Sequence, residues 1–372
     1  MSSDGIGLAV VGCGTVGRIR SVLAREHPSV DWLGLCDIDE GTAKSLGEDT
    51  DADFVTTGLD ELLGRSEVTA VIVATAENEH VTPILSAVDL DVPLFIEKPL
   101  ATDPVESARV LGAIENAGVD AVIGYTQRFR RRFQTVKQRL RDGQIGDVTS
   151  VVTRAFMNRM VPDATLRKTS ERSNLTPMVV SGTHSLDMCM WLMEPRQPVE
   201  VYARSTDRVL AGLGTKDATF GLFTMDDGAI WSMNISWALP TVWPGAVYGL
   251  EIGIVGTKGV IDIEDTHRDV ILATEIPQPA GYTSQGYEPD SQRYVDFVGS
   301  YPPGDVSDGL LWGPMREETM TWFHRLTTGV ATPHATAQDG HRNLILTMAM
   351  DKSARTGQPV ALPIKPEDLL EQ

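Results

Sequence analysis

Short, almost wholly apolar runs alternate with amphipathic stretches between residues 6 and 124. The apolar runs predict buried strands, because parallel strands covered on both faces lack the regular polar positions of a half-exposed strand. We expect these strands at 6–11, 30–36, 54–55, 70–74, 94–96 and 121–124. The amphipathic stretches predict helices at 15–26, 59–64, 81–88 and 104–117. This alternation indicates an α/β domain with a parallel sheet.

After residue 130 the pattern changes to strands in which apolar and polar positions alternate. Turn residues typical of hairpins, such as Asp227 and Gly228, separate several of them. We expect strands at 148–156, 199–204, 220–224, 230–237, 248–255 and 260–263, and helices at 133–141, 185–193, 314–328 and 338–355. The sequence therefore predicts two domains, residues 1–128 and 129–372. The second is an α+β domain with a large, mostly antiparallel open sheet.

A glycine-rich turn follows the first predicted strand. Gly12, Gly14 and Gly17 have the G-x-G-x-x-G spacing, and Thr15 and Val16 begin the next helix. In a dinucleotide-binding turn, the first glycine permits the bend, the second admits a pyrophosphate and the third lets helix and strand pack closely. Such a turn alone is weak evidence. Its place between a strand and a helix predicts a Rossmann domain with phosphates at the helix N-terminus.

Asp37 ends the second predicted strand, about 20 residues after the last glycine of the turn. An acid at this point of the fold accepts hydrogen bonds from the adenosine ribose, although an ordinary turn or cap residue is the alternative. A carboxylate there would also repel a 2′-phosphate, so NAD is favoured over NADP. Arg18 is a nearby cation that would offset part of this preference.

Composition and charge exclude several classes of function. The chain of 372 residues has a formal net charge of −19, which argues against a general nucleic-acid or anionic-membrane binder. No apolar run approaches a membrane span, and the first one is already the nucleotide-binding strand, so we expect a cytoplasmic protein without a signal peptide. Cys13, Cys36 and Cys189 have neither metal-ligand nor disulfide spacing, so we expect no metal site.

Several short motifs follow one another in a specific order. They are the glycine turn, Ala74-Thr75 with His80, Glu97-Lys98-Pro99, Gly124-Tyr125-x-x-Arg128-Phe129 and Gly182-x-His184-x-x-Asp187. With this ordered set the chain resembles, over essentially its whole length, the Gfo/Idh/MocA oxidoreductases. These are the relatives of glucose-fructose oxidoreductase and inositol 2-dehydrogenase. The resemblance implies an NAD-dependent enzyme with a Rossmann domain and a second domain for substrate binding and oligomerisation.

The resemblance also implies roles for individual residues. The cofactor-binding residues would be Gly12, Gly14, Thr15, Val16, Gly17, Asp37, Ala74, Thr75, His80, Glu97, Lys98 and Arg128. Lys98 would lie between nicotinamide and substrate, with Arg128 bordering the same cleft and His184 facing it from the second domain. Val180 stands where family members that oxidise inositols commonly carry an aspartate.

Lys98 and His184 are the predicted catalytic residues. Oxidation of an alcohol removes a hydride from carbon and a proton from oxygen, so a positioned acid/base must reach the hydroxyl. An imidazole titrates near neutral pH, and an ammonium group donates hydrogen bonds to a developing alkoxide. Asp187, three residues after His184, would orient the imidazole or bind another substrate hydroxyl. The alternatives are a satisfied core histidine and a solvated loop lysine.

A polar, positively charged segment lies between residues 156 and 177, ahead of the His184 helix. We expect Asn158 and Arg172 to contact the substrate, since positive charge beside the cleft would receive a carboxylate or sulfonate on a sugar. A solvated loop or a contact with a neighbouring subunit is the equal alternative. Tyr282 and Tyr287, in a loop with glycine and proline, are further candidate substrate contacts.

Trp231 and Trp237 lie at alternate positions of one predicted strand. We expect them to pack within the sheet or at a subunit interface. The family commonly pairs subunits through the outer face of this sheet, so the resemblance implies a homodimer or homotetramer.

Three functions stay open at this stage. The leading hypothesis is an NAD-dependent dehydrogenase, or a reductase in the reverse direction, acting on a secondary alcohol of a sugar, inositol or related polyol, with an acidic sugar as a narrower hypothesis. The second is a glycosidase that retains NAD and uses transient oxidation to drive elimination. The third is a non-catalytic dinucleotide-binding sensor. Lys98 and His184 argue against the sensor, and Val180 argues mildly for it.

Overall fold

The computed structural model describes residues 5–166, 174–245, 247–265, 270–278, 293–298 and 303–370. The chain divides into two compact units. The first unit comprises Met1–Tyr125 with Met315–Leu344, and the second comprises Thr126–Pro314 with Ile345–Gln372.

The strands and helices are numbered in chain order. The strands are β1 (Ile6–Val11), β2 (Val30–Cys36), β3 (Phe54–Thr56), β4 (Ala70–Val73), β5 (Leu94–Ile96), β6 (Ala121–Ile123), β7 (Val148–Asn158), β8 (Pro198–Thr206), β9 (Ala218–Met225), β10 (Ile230–Leu239), β11 (Val247–Gly256), β12 (Gly259–Asp265), β13 (Val270–Gln278), β14 (Arg293–Val298), β15 (Asp305–Ser307), β16 (Leu310–Trp312), β17 (Ala335–Thr336) and β18 (Val360–Ala361). The helices are α1 (Thr15–Arg25), α2 (Glu40–Thr50), α3 (Leu59–Leu63), α4 (Val81–Val88), α5 (Pro104–Ala117), α6 (Arg131–Arg141), α7 (Met160–Leu166), α8 (Thr183–Met193), α9 (Pro314–Thr328), α10 (Ala337–Thr356) and α11 (Pro366–Leu370).

The first unit contains a seven-stranded sheet in the order β17-β6-β5-β4-β1-β2-β3. All neighbours are parallel except β17, which pairs antiparallel with β6 at the edge. All residues of β1 and β4 are buried, as expected for central strands covered on both faces. Because the strands are parallel, the turns after β1, β2, β4, β5 and β6 follow their carboxyl ends at one edge of the sheet.

The second unit contains a seven-stranded sheet in the order β12-β11-β7-β10-β9-β8-β18. Its neighbours are antiparallel except for the parallel pair β7 and β10. The predicted fold class, a Rossmann-type domain followed by an α+β domain with a mostly antiparallel sheet, is confirmed.

The assignment of all residues after 128 to one domain differs from the observed division. Trp322 and Phe323 of α9 pack in the core of the first unit with Leu8, Val10 and Phe95. Since β17 also extends the first sheet, the segment 315–344 belongs to the first unit although it lies late in the chain.

Of the two places expected for Trp231 and Trp237, packing within the sheet or at a subunit interface, the structure shows the first. Both side chains are fully buried within the chain itself. The Trp231 indole N–H donates to Thr153 Oγ1 (2.7 Å), and the Trp237 indole N–H donates to Ser181 Oγ (2.9 Å). The tryptophans therefore face the inner side of the sheet, where α8 packs.

Helix α2 was not predicted from the sequence. Only Ala43 and Leu46 of its apolar residues are buried, so its hydrophobic pattern is weak. Its N-terminus is nevertheless defined by Asp39, whose side chain accepts a hydrogen bond from the Thr42 N–H (2.7 Å). No described helix combines the length and apolar character that a membrane crossing requires.

Candidate active site

The glycine turn after β1 leaves no room for side chains at two of its three glycines. Gly12 has a φ of +97°, and a Cβ there would lie 2.4 Å from the Ala74 carbonyl oxygen. A Cβ at Gly17 would lie 1.8 Å from the Gly12 carbonyl oxygen, so this glycine allows α1 to pack against the turn. At Gly14, in contrast, a Cβ would meet nothing within 4 Å in the described structure.

The N-terminus of α1 opens at this space. Gly14 is the N-cap residue and offers no side chain to the first backbone N–H groups of the helix. Thr15 is exposed and Val16 is half-buried. Backbone N–H groups at the positive end of a helix, next to open space, suit the pyrophosphate of a dinucleotide.

Asp37, at the end of β2, is tied to the glycine turn. Its carboxylate accepts hydrogen bonds from the Cys13 N–H (2.7 Å) and the Asp39 N–H (2.9 Å). Burial, with a smaller contribution from Asp37, raises the pKa of the Cys13 thiol to about 12, so this cysteine is an uncharged packing residue. The next residue, Ile38, is 96% exposed and presents an apolar side chain directly beside Asp37.

Arg18 does not extend freely beside Asp37. Its guanidinium forms an ion pair with Asp49 and a hydrogen bond with Ser45 Oγ (3.3 Å), both on α2. This engagement weakens the argument that Arg18 offsets the preference for NAD.

The turn after β4 carries Thr75, and its neighbour Ala74 is buried. The Thr75 hydroxyl is buried and has no hydrogen-bond partner in the described part of the chain. His80, also buried, has Nδ1 2.7 Å from the Pro99 carbonyl oxygen and Nε2 3.2 Å from the Thr75 carbonyl oxygen. The imidazole thus bridges the turns after β4 and β5.

The turn after β5 carries Glu97, Lys98 and Pro99. Glu97 and Pro99 are buried, whereas Lys98 between them is half-buried. One carboxylate oxygen of Glu97 accepts hydrogen bonds from Nε (3.0 Å) and Nη2 (2.7 Å) of Arg20, which lies on α1. We refer to residues 97–99, which carry the predicted catalytic lysine, as the catalytic turn. Lys98 lies between Glu97 and Pro99, and side chains of the first unit hold both of these neighbours in place.

In the second unit, α8 is preceded by a π-helical segment, Pro177–Gly182, which is capped by the Thr176 hydroxyl through the Val179 N–H (3.2 Å). His184 is half-buried, whereas all other residues of α8 are buried. Segments of π-helix occur frequently at functional sites. The helix therefore presents His184 as its one partly accessible side chain.

Arg128 and Asp187 form a buried pair within the second unit. Arg128 Nε and Nη2 donate to the two Asp187 oxygens at 2.8 and 2.6 Å, and both side chains are at most 3% exposed. The pair positions Asp187 on α8 one turn after His184. A bidentate pair of this kind fixes the helix to the segment that follows β6.

Asn158 is buried at the end of β7. Its Nδ2 donates to the Trp243 carbonyl oxygen (3.2 Å), and its Oδ1 accepts from the Met160 N–H (3.1 Å). These bonds tie together the ends of neighbouring strands. Three other expected substrate contacts, Arg172, Tyr282 and Tyr287, lie outside the described residues.

Val180, in the π-helical segment, is buried in an apolar cluster with Leu166, Leu175, Leu210 and Trp237. An aspartate at this position would lie among aliphatic and aromatic side chains. The valine thus matches its surroundings in this chain.

Sequence reasoning missed Arg20. The apolar residue Val22 of α1 is 36% exposed, whereas Gly17, Arg20 and Ala24 are buried. Because Gly17 must face the strand, residues three and seven positions later lie on the same side of the helix. That spacing was the signal by which the buried arginine could have been found.

Family models match both parts of the chain. The model described as "Oxidoreductase family, NAD-binding Rossmann fold" matches residues 6–125, and the model described as "GFO/IDH/MocA C-terminal domain" matches residues 133–262.

Comparison with individual proteins gives relatives over most of the chain. An inositol 2-dehydrogenase of Acidothermus cellulolyticus is 28% identical over 331 residues, which cover 84% of this chain and 89% of the relative. A 2,7-anhydro-N-acetylneuraminate hydratase of Mediterraneibacter gnavus is 25% identical over 323 residues, covering 86% and 83%. The crystal structure of GenD2 from gentamicin A biosynthesis, in complex with NAD, has a TM-score of 0.78 at 22% identity and covers 97% of each chain.

Proposed function

Since this chain belongs to the Gfo/Idh/MocA family of NAD-binding oxidoreductases, we propose that it oxidises a secondary alcohol of a sugar, inositol or related polyol. The reverse reduction is the same chemistry run backwards. The relatives named inositol 2-dehydrogenase support this substrate class.

The residues of the first unit fit NAD. The open space at Gly14 and the uncapped N-terminus of α1 would receive the pyrophosphate. Asp37 would accept hydrogen bonds from the adenosine ribose, and Ile38 would pack against the adenine. The buried Thr75 hydroxyl would find its missing partner on the cofactor. Arg18 pairs with Asp49 instead of extending freely beside Asp37, which is consistent with NAD rather than NADP.

NAD, when bound, supplies the hydride acceptor at the nicotinamide ring. Side chains of this protein would carry out the other steps of the reaction. The Lys98 ammonium group would donate a hydrogen bond to the substrate oxygen and stabilise the negative charge that develops there. The His184 imidazole would accept the hydroxyl proton. Arg128 and Asp187 would hold the helix that carries His184 rather than bind substrate themselves, because they neutralise each other.

One observation carries the proposal. Lys98 is half-buried between two buried residues, and each neighbour is held by a side chain of the same unit, Glu97 by Arg20 and Pro99 by His80. A solvated loop lysine would not need such support. Fixed groups next to a cofactor fold are what acid/base chemistry at a substrate hydroxyl requires.

Replacement of Lys98 by alanine tests the proposal. NADH formation is measured with a panel of inositols, sugars and uronates. We expect turnover with one compound class and a decrease in kcat of at least about 100-fold in Lys98→Ala, since the donor to the developing alkoxide is lost. Lys44→Ala is the control, because the Lys44 side chain is exposed on α2 and pairs only with Glu40 among the described residues. Turnover that persists in Lys98→Ala would refute the catalytic role.

A second function is favoured by one specific relative, the 2,7-anhydro-N-acetylneuraminate hydratase. We propose as the alternative that the chain retains NAD and uses transient oxidation to drive elimination on an acidic sugar, with Arg172 as a proposed carboxylate contact. NAD that stays bound through purification, and a sugar that is consumed without net NADH, would favour this alternative. Net NADH formation with neutral polyols would exclude it.

The outer face of the second-unit sheet supports a homodimer or homotetramer. Val152, Phe220, Leu222 and Ile230 are exposed there, with Tyr202 on the neighbouring strand. Exposed apolar side chains at alternate positions of several adjacent strands are typical of a face that is covered by a partner. We propose that a second copy of the chain covers it.

A further inference from the structure

Arg20 is a charged side chain with no exposed surface. Burial alone would lower the pKa of its guanidinium, but Glu97 and Glu318 hold that pKa above its usual range, so the group is a cation. Its contacts are Glu97 Oε1 (2.7 Å from Nη2), Glu318 Oε2 (2.6 Å), Thr319 Oγ1 (2.5 Å) and the Met315 carbonyl oxygen (3.3 Å). It also lies over the Phe95 ring, 4.2 Å from the centroid.

These contacts join three elements of the first unit. Arg20 lies on α1, one turn after Gly17; Glu97 follows β5; and Glu318 and Thr319 lie on α9. A buried charge is tolerated only in a fixed, fully paired geometry. The guanidinium therefore determines the position of the Glu97 side chain relative to the helix that begins at the glycine turn.

The catalytic turn is held from its other end as well. His80 Nδ1 lies 2.7 Å from the Pro99 carbonyl oxygen, while Arg20 binds Glu97. Lys98 lies between these two attachments, and its backbone has little freedom to move unless one of them is released. A Cβ at Gly124, in the turn after β6, would lie 2.8 Å from Glu97 Oε2, so the Glu97 carboxylate is also confined from that side.

We propose that Arg20 is a positioning residue that fixes the catalytic turn against α1 and thereby sets the place of the Lys98 ammonium group. Arg20 does not touch substrate or cofactor in this role. It acts through Glu97 on the neighbouring lysine. The inference rests on the proposed function for its kinetic consequence, but its structural consequence is independent of any activity.

Lysine cannot replace arginine here although it preserves the charge. The planar guanidinium reaches Glu97 with two N–H groups while the remaining N–H groups reach Glu318 and Thr319. An ammonium group is a single point donor on a thinner stem and cannot span these partners together. Arg20→Lys should therefore fold, because the buried carboxylates keep a cation, but should loosen the turn.

The experiment compares Arg20→Lys with Arg25→Lys. Arg25 lies on the same helix and also binds a carboxylate, that of Asp53, but it makes no contact with the catalytic turn. Hydrogen exchange of the peptide spanning 94–101 is measured by mass spectrometry in both variants. We expect faster exchange in Arg20→Lys and wild-type exchange in Arg25→Lys.

Steady-state kinetics gives the second readout. In Arg20→Lys we expect kcat to fall roughly 10- to 100-fold, because a small misplacement of a reacting group has a large effect on rate. The dissociation constant for NAD should change less than kcat, because the contacts of Arg20 lie at Glu97, Glu318 and Thr319 rather than at the glycine turn or Asp37. Arg25→Lys should match the wild type in both.

The possible outcomes distinguish the positioning role of Arg20 from the proposed function. Faster exchange in Arg20→Lys with no dehydrogenase activity in the wild type would leave the positioning role standing and remove the proposed function. Unchanged exchange at 94–101, or an equal loss of kcat in Arg25→Lys, would overturn the positioning role whatever the activity.

Discussion

At the residue scale, Asp351 links the part of α10 that lies in the second unit to the π-helical segment before the helix that carries His184. Its Oδ2 accepts a hydrogen bond from the Thr176 hydroxyl (2.6 Å), and Thr176 caps the π-helical segment. Burial raises the pKa of Asp351 from 3.8 to about 7, while Thr176, Arg355 and Lys216 act in the opposite direction. The folded chain therefore keeps this carboxyl protonated at pH values where the unfolded chain has lost the proton.

The sign of the resulting pH dependence follows from linkage. Between about pH 4 and pH 7 the folded state binds more protons at Asp351 than the unfolded state, so this group lowers the free energy of unfolding as the pH rises. This decrease in the free energy of unfolding is complete above pH 7 and amounts to at most about 4 kcal/mol.

Asp351→Asn removes this penalty while keeping an acceptor for Thr176. We expect the variant to be more stable than the wild type by about 1 to 4 kcal/mol near pH 8, and the difference to vanish near pH 4. Urea unfolding at the two pH values measures this. Asp262→Asn, at an exposed aspartate of the same unit, is the control and should show no such trend. A loss of stability in Asp351→Asn near pH 8 would contradict the assignment.

At the element scale, the packing of α1 against the glycine turn depends on the missing side chain of Gly17. A Cβ there would lie 1.8 Å from the Gly12 carbonyl oxygen and 3.6 Å from the Ala74 Cβ. The first distance is far below contact distance, and a backbone atom cannot rotate away as a side chain can. Helix α1 would have to shift, and with it the N–H groups that face the open space at Gly14.

Gly17→Ala should therefore lower both stability and NAD affinity. We expect a loss of about 1 to 3 kcal/mol in the free energy of unfolding, as for other overpacked sites, and at least a tenfold weaker binding of NAD. Thermal unfolding and NAD titration by fluorescence measure the two effects.

Gly112→Ala provides the matched control for that variant. Gly112 is also a helical glycine of the first unit, but a Cβ there would meet nothing within 4 Å in the described structure. Alanine should stabilise α5 by up to about 1 kcal/mol, because glycine is a poor helix former. Equal changes in stability and NAD affinity in Gly17→Ala and Gly112→Ala would show that the close approach of Gly17 to the Gly12 carbonyl oxygen does not determine either property.

At the scale of the whole molecule, the outer face of the second-unit sheet combines apolar and charged side chains. Phe156 and Phe220 stack with ring centroids 5.9 Å apart, and Arg154 beside them pairs with Glu251. Leu222, on the same strand as Phe220, is 46% exposed. When a second copy of the chain covers such a patch, apolar surface is removed from water, which lowers the free energy of the assembly.

Leu222→Asp should disrupt the proposed assembly without unfolding the chain. We expect a shift from dimer or tetramer to a smaller species in light scattering after size exclusion, because a charge would be buried unpaired at the interface. Val330→Asp, at an apolar residue of the first unit that is 53% exposed, should leave the mass unchanged. An unchanged mass in Leu222→Asp, or a monomeric wild type, would refute this interface.

Much of the fold could be predicted from local patterns. The predicted runs at Ile6–Val11, Val30–Cys36 and Leu94–Ile96 match the strands residue for residue. Ile6–Val11 and Leu94–Ile96 are buried throughout, as expected for parallel strands covered on both faces. Helix α2 was missed because its stability depends on a cap and two buried side chains rather than on a strong apolar face. The placement of α9 in the first unit was also missed, since local pattern does not say which core a helix joins.

The candidate site was predictable only in part for the same reason. Gly12, Gly14 and Gly17 could be identified from the sequence, because their spacing is set by the local backbone conformation of the turn. Arg20 could not, because a charged residue in an amphipathic helix is expected at the surface until its partners are known. Nor did the sequence say that Arg128 pairs with Asp187, or that Asn158 binds neighbouring backbone.

The amino-acid sequence by itself determined the alternation of strands and helices in the first unit apart from α2, the dinucleotide-binding turn and membership of the family, because these depend on short-range periodicity and on motifs in series. Only the tertiary structure decided which charges are buried together, which tryptophans face inward and which segment completes which core. Those features depend on contacts between residues far apart in the chain, such as Arg20 with Glu318, and no local pattern records them.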